Sequence, residues 1–279
     1  MNRRLAAVLV PLLAFSLAAC SGDDEQPADP KAALAASTSG IKAGNYSFTA
    51  AMPGGSTGKG VVHVPSRSAS LDLDMVDEEN KGKVQFRIAD ADRFVKLTMD
   101  MGQSKEQLES LSALGDDPQN AKLVEGMRAM IDLFSGKHWL RTDMSKLKSK
   151  DLQFSIDNPD ISGVGTLFDG VVTAQRSGSV ITGTLDVTKV GDDTQLFSKS
   201  TFEGADATQA KAVPYEATLD GEGRLTKLVL DLPKTKDAPA GKGTVEISGY
   251  GAATKQEPPA AAEVKEMPES AYEMLNSED

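Results

Sequence analysis

The sequence predicts an α+β fold: a curved antiparallel sheet, or half-barrel, with helices across its concave face. Three observations predict it. Two stretches of period-two alternation, over 44–99 and 213–250, are broken by glycine-rich turns and read as antiparallel meanders. Between them, over 108–134, the apolar spacing lengthens to that of a helix. Strands, then helices, then strands, without a short repeat, suit a sheet covered by helices.

At the N-terminus Arg3 and Arg4 precede an apolar run over 5–17 that only Pro11 interrupts. Such a run has signal-peptide length and falls short of the roughly 20 residues that span a bilayer core. Leu17-Ala18-Ala19-Cys20 follows and matches the lipobox of bacterial lipoproteins. That resemblance implies a signal peptide over 1–19, a mature chain that starts at Cys20, and a diacylglycerol thioether on its sulfur. The protein would then sit at the cell membrane, lipid-anchored on the extracytoplasmic side. Two acyl chains make a stable anchor, at roughly 0.8 kcal/mol per buried methylene. The alternative is an ordinary secretory signal with a chance cysteine. The Asn2 and Leu5 that flank the arginine pair give little support to twin-arginine export.

Residues 20–38 read as the lipidated cysteine and a tether, with Asp23, Asp24, Glu25, Pro27 and Pro30 in quick succession. Within it the alanine-rich run 30–39 reads as a first helix docked through Leu34. The domain follows over 39–259. Tyr46, Phe48 and Ala50 alternate with polar residues, and a strand over 60–64 returns after the turn around Gly54–Gly55. Leu71, Leu73 and Met75 alternate with Asp72 and Asp74; Val84, Phe86 and Ile88 alternate with Gln85 and Arg87. Phe94, Val95 and Leu97 lie on the next strand, over 93–99.

The helical block begins with Leu108, Leu111 and Leu114. Asp117-Pro118 then gives an N-cap and a proline at the first helical position. Leu123, Met127, Met130, Ile131 and Phe134 share one face of that second helix, and Gly136 stops it. A strand over 137–142 carries Trp139, and a basic turn over 143–150 carries Lys146, Lys148 and Lys150. Leu167, Phe168, Val171 and Val172 predict a helix over 164–175, ahead of a strand over 180–187. The polar stretch 192–210 reads as a helix or loop. Strands over 213–220 and 224–232 flank the turn Gly221-Glu222-Gly223, and 243–250 closes the second meander. Pro258-Pro259 ends the predicted domain, and 260–279 reads as an acidic C-terminal tail, weakly helical near Tyr272 and Leu275.

Composition excludes several functions. The net charge is −11, and loss of Arg3 and Arg4 with the signal brings it to −13. Nucleic-acid binding needs a basic face, so it is set aside. Cys20 is the one cysteine, which leaves no disulfide framework and no free thiol once it is acylated. His63 and His138, far apart and without ligand-spaced neighbours, read as structural. The acidic groups Asp72–Asp74, Asp77–Glu79 and Asp116–Asp117 lack the calcium-loop pattern. No nucleophile elbow, P-loop or dinucleotide fingerprint occurs, so neither catalysis, metal nor cofactor is expected.

Three further segments carry a resemblance: the hairpin Val213-Pro214-Tyr215 through Asp220-Gly221-Glu222-Gly223-Arg224-Leu225, the strand Gly136-Lys137-His138-Trp139 through Asp143, and Tyr250-Gly251 followed by Pro258-Pro259. With the lipobox, these resemble the actinobacterial LppX/LprG-like lipoproteins and the wider circle of LolA-like half-barrels. The resemblance implies an apolar cavity between sheet and helices that takes the acyl chains of a lipid or lipoglycan. It also implies a membrane transporter as a partner, for carriage to outer envelope layers. Met75, Phe86, Met99, Leu123, Met127, Met130, Ile131 and Phe134 are the cavity candidates, since flexible methionines adapt to chains of varying length. The same residues would serve equally in plain core packing. The expectation is therefore a monomeric, non-catalytic lipoprotein that binds an acyl-chain ligand, with a packed, protein-binding envelope scaffold as the alternative.

Overall fold

Hydrogen bonding joins twelve strands into one open sheet in the computed structural model. It describes residues 29–76, 81–113, 118–148, 155–190, 196–197, 200–236 and 238–276. The lipobox, Cys20 and the first part of the tether lie outside the described residues. The first meander contains β1 (Asn45–Ala51), β2 (Thr57–His63), β3 (Ser68–Val76), β4 (Lys81–Ala89) and β5 (Asp92–Met99), continued by the short β6 (Trp139–Arg141). The second contains β7 (Val171–Ser177), β8 (Val180–Leu185), β9 (Val213–Leu219), β10 (Leu225–Leu232) and β11 (Gly241–Ser248). Pairing of β1 with β11 fuses the two, and β12 (Val264–Glu266) adds to β6 at one edge. The order is β12-β6-β5-β4-β3-β2-β1-β11-β10-β9-β8-β7, antiparallel except for the last-added β12–β6 pair.

Alternation decides which face is apolar. Tyr46 and Phe48 of β1, Leu71 of β3, Ile88 of β4, Leu228 of β10 and Ile181 of β8 point to one buried face. Gly60, opposite Phe48, leaves room for the aromatic ring, since a Cβ there would collide with it. The helices α1 (Pro30–Ser37), α2 (Ser39–Lys42) and α5 (Val164–Phe168) cover this face, with Leu34, Ile41, Val164 and Leu167 buried. Asp29 caps α1, and its proline stands at the first turn. Leu34 thus docks as expected, and 30–37 belongs to the folded body and not to the tether.

Three segments differ from the sequence-based expectation. The predicted helix over 164–175 stops at Phe168, and 171–177 is β7. Gly170 makes the break: Asp186 donates its N–H to the Gly170 carbonyl at 2.8 Å, and a Cβ on Gly170 would strike the Asp186 carbonyl. The helices α3 (Gly102–Ser112) and α4 (Pro118–Leu133) form as expected but pack chiefly on each other. No described residue of α3 is buried, so this hairpin stands off the sheet. Finally, the stretch after Pro259 does not leave the domain. Beyond the one-turn helix α6 (Ala207–Ala210) and the second meander, β12 pairs with β6, and α7 (Glu269–Leu275) buries Ala271 and Tyr272, with Met267 buried just before it. The edge of β6 offers unpaired backbone groups, and β12 satisfies them.

The sheet has two distinct ends. The β1–β2 turn, the exit of β5 into α3, the start of β7 and the end of β10 lie at one end, here called the rim end. The β2–β3, β4–β5, β7–β8 and β9–β10 turns lie at the far end.

Candidate functional site

The apolar face of β3, β4 and β5 is a ladder of rows fixed by register. Ala69 pairs with Ile88, and Leu71 with Phe86 and then Val95. Leu73, Val84 and Leu97 form the next row; Met75, Gly82 and Met99 form the last, at the rim end. Exposure rises along this ladder. Ala69, Ile88 and Leu71 are wholly buried, Leu73 and Val84 are half-buried, and Met75 and Met99 are 36% and 42% exposed. Gly82 has no side chain, and the Met75 Cε and Met99 Cγ lie 3.2 and 3.7 Å from where its Cβ would be. The two methionines therefore converge over the glycine and form an apolar rim.

A small cavity of about 30 Å³ lies further in, among Phe86, Val95, Leu97, Met144, Met267 and Leu275. Its surface is chiefly apolar, although Arg87, Arg93 and Thr142 also contribute to the wall, and it has room for about one water. It lies under the cover formed by the segment around 144–147 and by α7. The rim and the void share the β5 face through Leu97, so an apolar track runs from exposed methionines to the core.

The structure distributes the predicted site residues over three places. Phe86 lines the void, while Met75 and Met99 form the rim. Phe134 joins the rim through its backbone, since its carbonyl accepts the Met99 N–H at 3.0 Å, and its side chain packs on the core. Gly136 makes this return possible: it sits at φ +68° and donates its N–H to the Leu97 carbonyl at 2.8 Å. Met127 is buried, while Met130 and Ile131 are half-buried and Leu123 is 51% exposed, all on the hairpin and not on the track. Met267 and Leu275 escape the sequence reading, because an acidic stretch beyond Pro259 has the pattern of a tail. Leu73, Val84 and Leu97 alternate visibly in the sequence, but alternation alone does not single them out as site residues.

The other polar features have local structural roles. Asp160, buried to 8% exposure, accepts from Ser162 Oγ at 2.8 Å and from the Gly165 N–H at 2.7 Å, holding the start of α5. Burial pushes its carboxyl above the usual range, against the opposing pull of these bonds. Tyr46 donates to the Pro159 carbonyl at 2.7 Å, and burial followed by the neighbouring Asp160 pushes its phenol well up. His63 Nδ1 is 2.6 Å from Ser66 Oγ at the far end. Lys146, on the predicted basic turn, pairs with Glu269 at 2.6 Å and lies over the Tyr272 ring; Lys150 is outside the described residues. Among the described residues, no three of His, Cys, Asp and Glu group as metal ligands. Nor is any described helix long and apolar enough to cross a membrane.

The hairpin turn between β9 and β10 also has a mechanical reading. Asp220 accepts from the Glu222 and Arg224 N–H groups, both at 2.9 Å, and pairs with the Arg224 guanidinium at 2.8 Å. Arg224 lies 5.0 Å over the Tyr250 ring, tying the turn to the last strand. Trp139 faces the opposite side of the sheet, with Arg87 at 5.3 Å and Lys96 at 5.8 Å over its ring. These residues brace the sheet and do not enter the track.

No family model matches the chain. No curated protein matches it in sequence either. The functional reading therefore rests on the residues themselves.

Proposed function

We propose that the chain is a lipoprotein of the cell envelope, related to the LppX/LprG-like half-barrels, anchored through Cys20 and binding an acyl-chain ligand without catalysis. One observation carries the reading: the apolar track from the Met75–Met99 rim through Leu73, Val84 and Leu97 to the void beside Phe86. Burial of acyl methylenes along it supplies the affinity, at about 25 cal/mol per Å² of apolar surface. The thioether sulfur of methionine suits chains of varying length. A void of about 30 Å³ holds no acyl chain, so uptake requires the cover with Met267 and Leu275 to move. Carriage would deliver the ligand to a membrane transporter or to an outer envelope layer.

The test is native mass spectrometry of the mature chain carrying Cys20→Ser, incubated with membrane-derived lipid and repurified, with lipid analysis of an organic extract. A discrete added mass that is lost in the Met75→Lys, Met99→Lys variant supports carriage. A bare mass that lipids leave unchanged would sink it.

A second reading has its own observation. Tyr46, Phe48, Leu71, Ile88 and Phe197 fill the interior of the half-barrel, as a solid scaffold requires. On that reading the standing hairpin of α3 and α4 meets another protein, and lipid leaves the protein unchanged.

A further inference from the structure

Four large apolar side chains are exposed among the described residues: Met75 at 36%, Met99 at 42%, Val172 at 44% and Leu123 at 51%. All four belong to one end of the half-barrel. Met75 and Met99 close the last row of the ladder at the rim end. Val172 is at the start of β7, which the register of β8, β9 and β10 places at the same end. Leu123 is on the hairpin that springs from this end, where Met99 bonds to Phe134 and Thr98 bridges to Ser135. The far-end turns present no exposed large apolar side chain among the described residues. Charge occurs at both ends, with Asp90, Asp92, Asp220 and Glu222 at the far end and Asp77, Glu78 and Glu79 in the sequence that joins β3 to β4 at the rim end.

The chain also enters the domain at the rim end. Lys31, in the first turn of α1, donates its ammonium to the Val172 carbonyl at 2.8 Å. From there α1 and α2 lead to Asn45, which pairs with His63 at the far end. The roughly nine residues between Cys20 and Asp29 reach about 30 Å when fully extended. As a coil they average about half of that. A nine-residue strand such as β3 is itself about 28 Å long. A bilayer at the far end would hold the tether at full stretch along the whole body, while one at the rim end leaves it relaxed.

We propose that the rim end rests on the bilayer that holds the anchor, with Met75, Met99, Leu123 and Val172 immersed in its interface. The occupant of this apolar surface is the membrane itself. The proposal rests on the acylation of Cys20, and it sets the mouth of the track against the source of acyl chains. Side chains half-immersed in this way multiply partitioning, so losing two of them lowers it by about thirtyfold.

The experiment uses the full acylated chain in vesicles of equal phosphatidylethanolamine and phosphatidylglycerol. Acylation blocks the one native cysteine, so Met99→Cys, Leu123→Cys, Val172→Cys and the far-end Ala91→Cys each take one environment-sensitive fluorophore. Blue-shifted emission and shielding from iodide at 99, 123 and 172, but not at 91, is the expected result. Equal exposure at all four positions, or shielding at 91 alone, overturns the proposal. So does shielding that appears only at high protein concentration or only with added envelope proteins, which would assign the face to a second copy or a protein partner. In the unacylated Cys20→Ser chain, Leu123→Asp with Val172→Asp is expected to lower vesicle co-sedimentation by about thirtyfold with an unchanged circular dichroism spectrum; no change counts against the proposal. The intact mass separates the two readings: an acylated chain with a bare rim overturns the orientation alone, and a chain without acyl groups overturns the anchor on which it rests.

Discussion

Replacing Tyr272 with alanine tests the point at which sequence and structure diverge most. Tyr272 is 4% exposed on α7, its hydroxyl oxygen accepts the Asp143 N–H at 2.7 Å, and the Lys146 ammonium lies 5.2 Å from its ring. Cutting a buried aromatic to alanine costs about 3–5 kcal/mol, and a short helix at a sheet edge relaxes enough to place this one near 3. Tyr272→Phe keeps the ring and loses one hydrogen bond, for about 1 kcal/mol. For a chain of this size a urea slope of about 3 kcal/mol per M turns these into midpoint shifts of roughly 1 M and 0.3 M. The assay is urea unfolding of the Cys20→Ser protein followed by Trp139 fluorescence. Hydrogen exchange over 264–275 serves as the local check. An unshifted midpoint for Tyr272→Ala, with amides at 264–266 that exchange like free peptide, would refute the docking of this segment and the cover over the void.

Three further outcomes follow from the geometry. Met75→Lys with Met99→Lys is expected to change stability by less than about 0.5 kcal/mol, because both side chains are exposed, while removing any co-purified lipid mass. Asp160, raised by burial in the folded state, contributes stability that is complete below the unfolded carboxyl pKa and falls as pH rises through the folded value. Urea midpoints of wild type and Asp160→Asn across pH 3.5 to 7 should show the loss in wild type alone, and parallel curves would refute it. Asp72 is buried between Arg87 at 3.2 Å and Lys59 at 3.7 Å. Asp72→Ala should cost about 2 kcal/mol, read by the urea midpoint, because Arg87 over Trp139 loses its charged partner.

Part of the candidate site is legible in the sequence. Period-two alternation places Met75, Phe86 and Met99 on apolar faces, and the Asp117-Pro118 start with the Gly136 stop brackets the main helix. Alternation states which face is apolar but not how far it is covered, so Phe86 at the void and Met99 at the rim look alike in the sequence. The helix periodicity of Leu123, Met127, Met130 and Ile131 likewise names a face without naming what it meets. The structure turns much of that face towards the hairpin partner and solvent.

The sequence by itself determined the two meanders, the docking of Leu34, the turn at Asp220–Gly223 and the absence of a recognisable catalytic motif. These depend on neighbours within a few residues, where periodicity, capping and turn chemistry act. Tertiary structure decided the rest. Residues 171–177 became a strand because β8 offered backbone partners to a segment whose side chains also suit a helix. Residues 264–275 joined the domain because the edge of β6 and the half-covered β5 face were free to receive them. Backbone pairing of a three-residue strand and burial of a few side chains on a distant sheet leave no local pattern, so their free energy is set only when the partner surface exists.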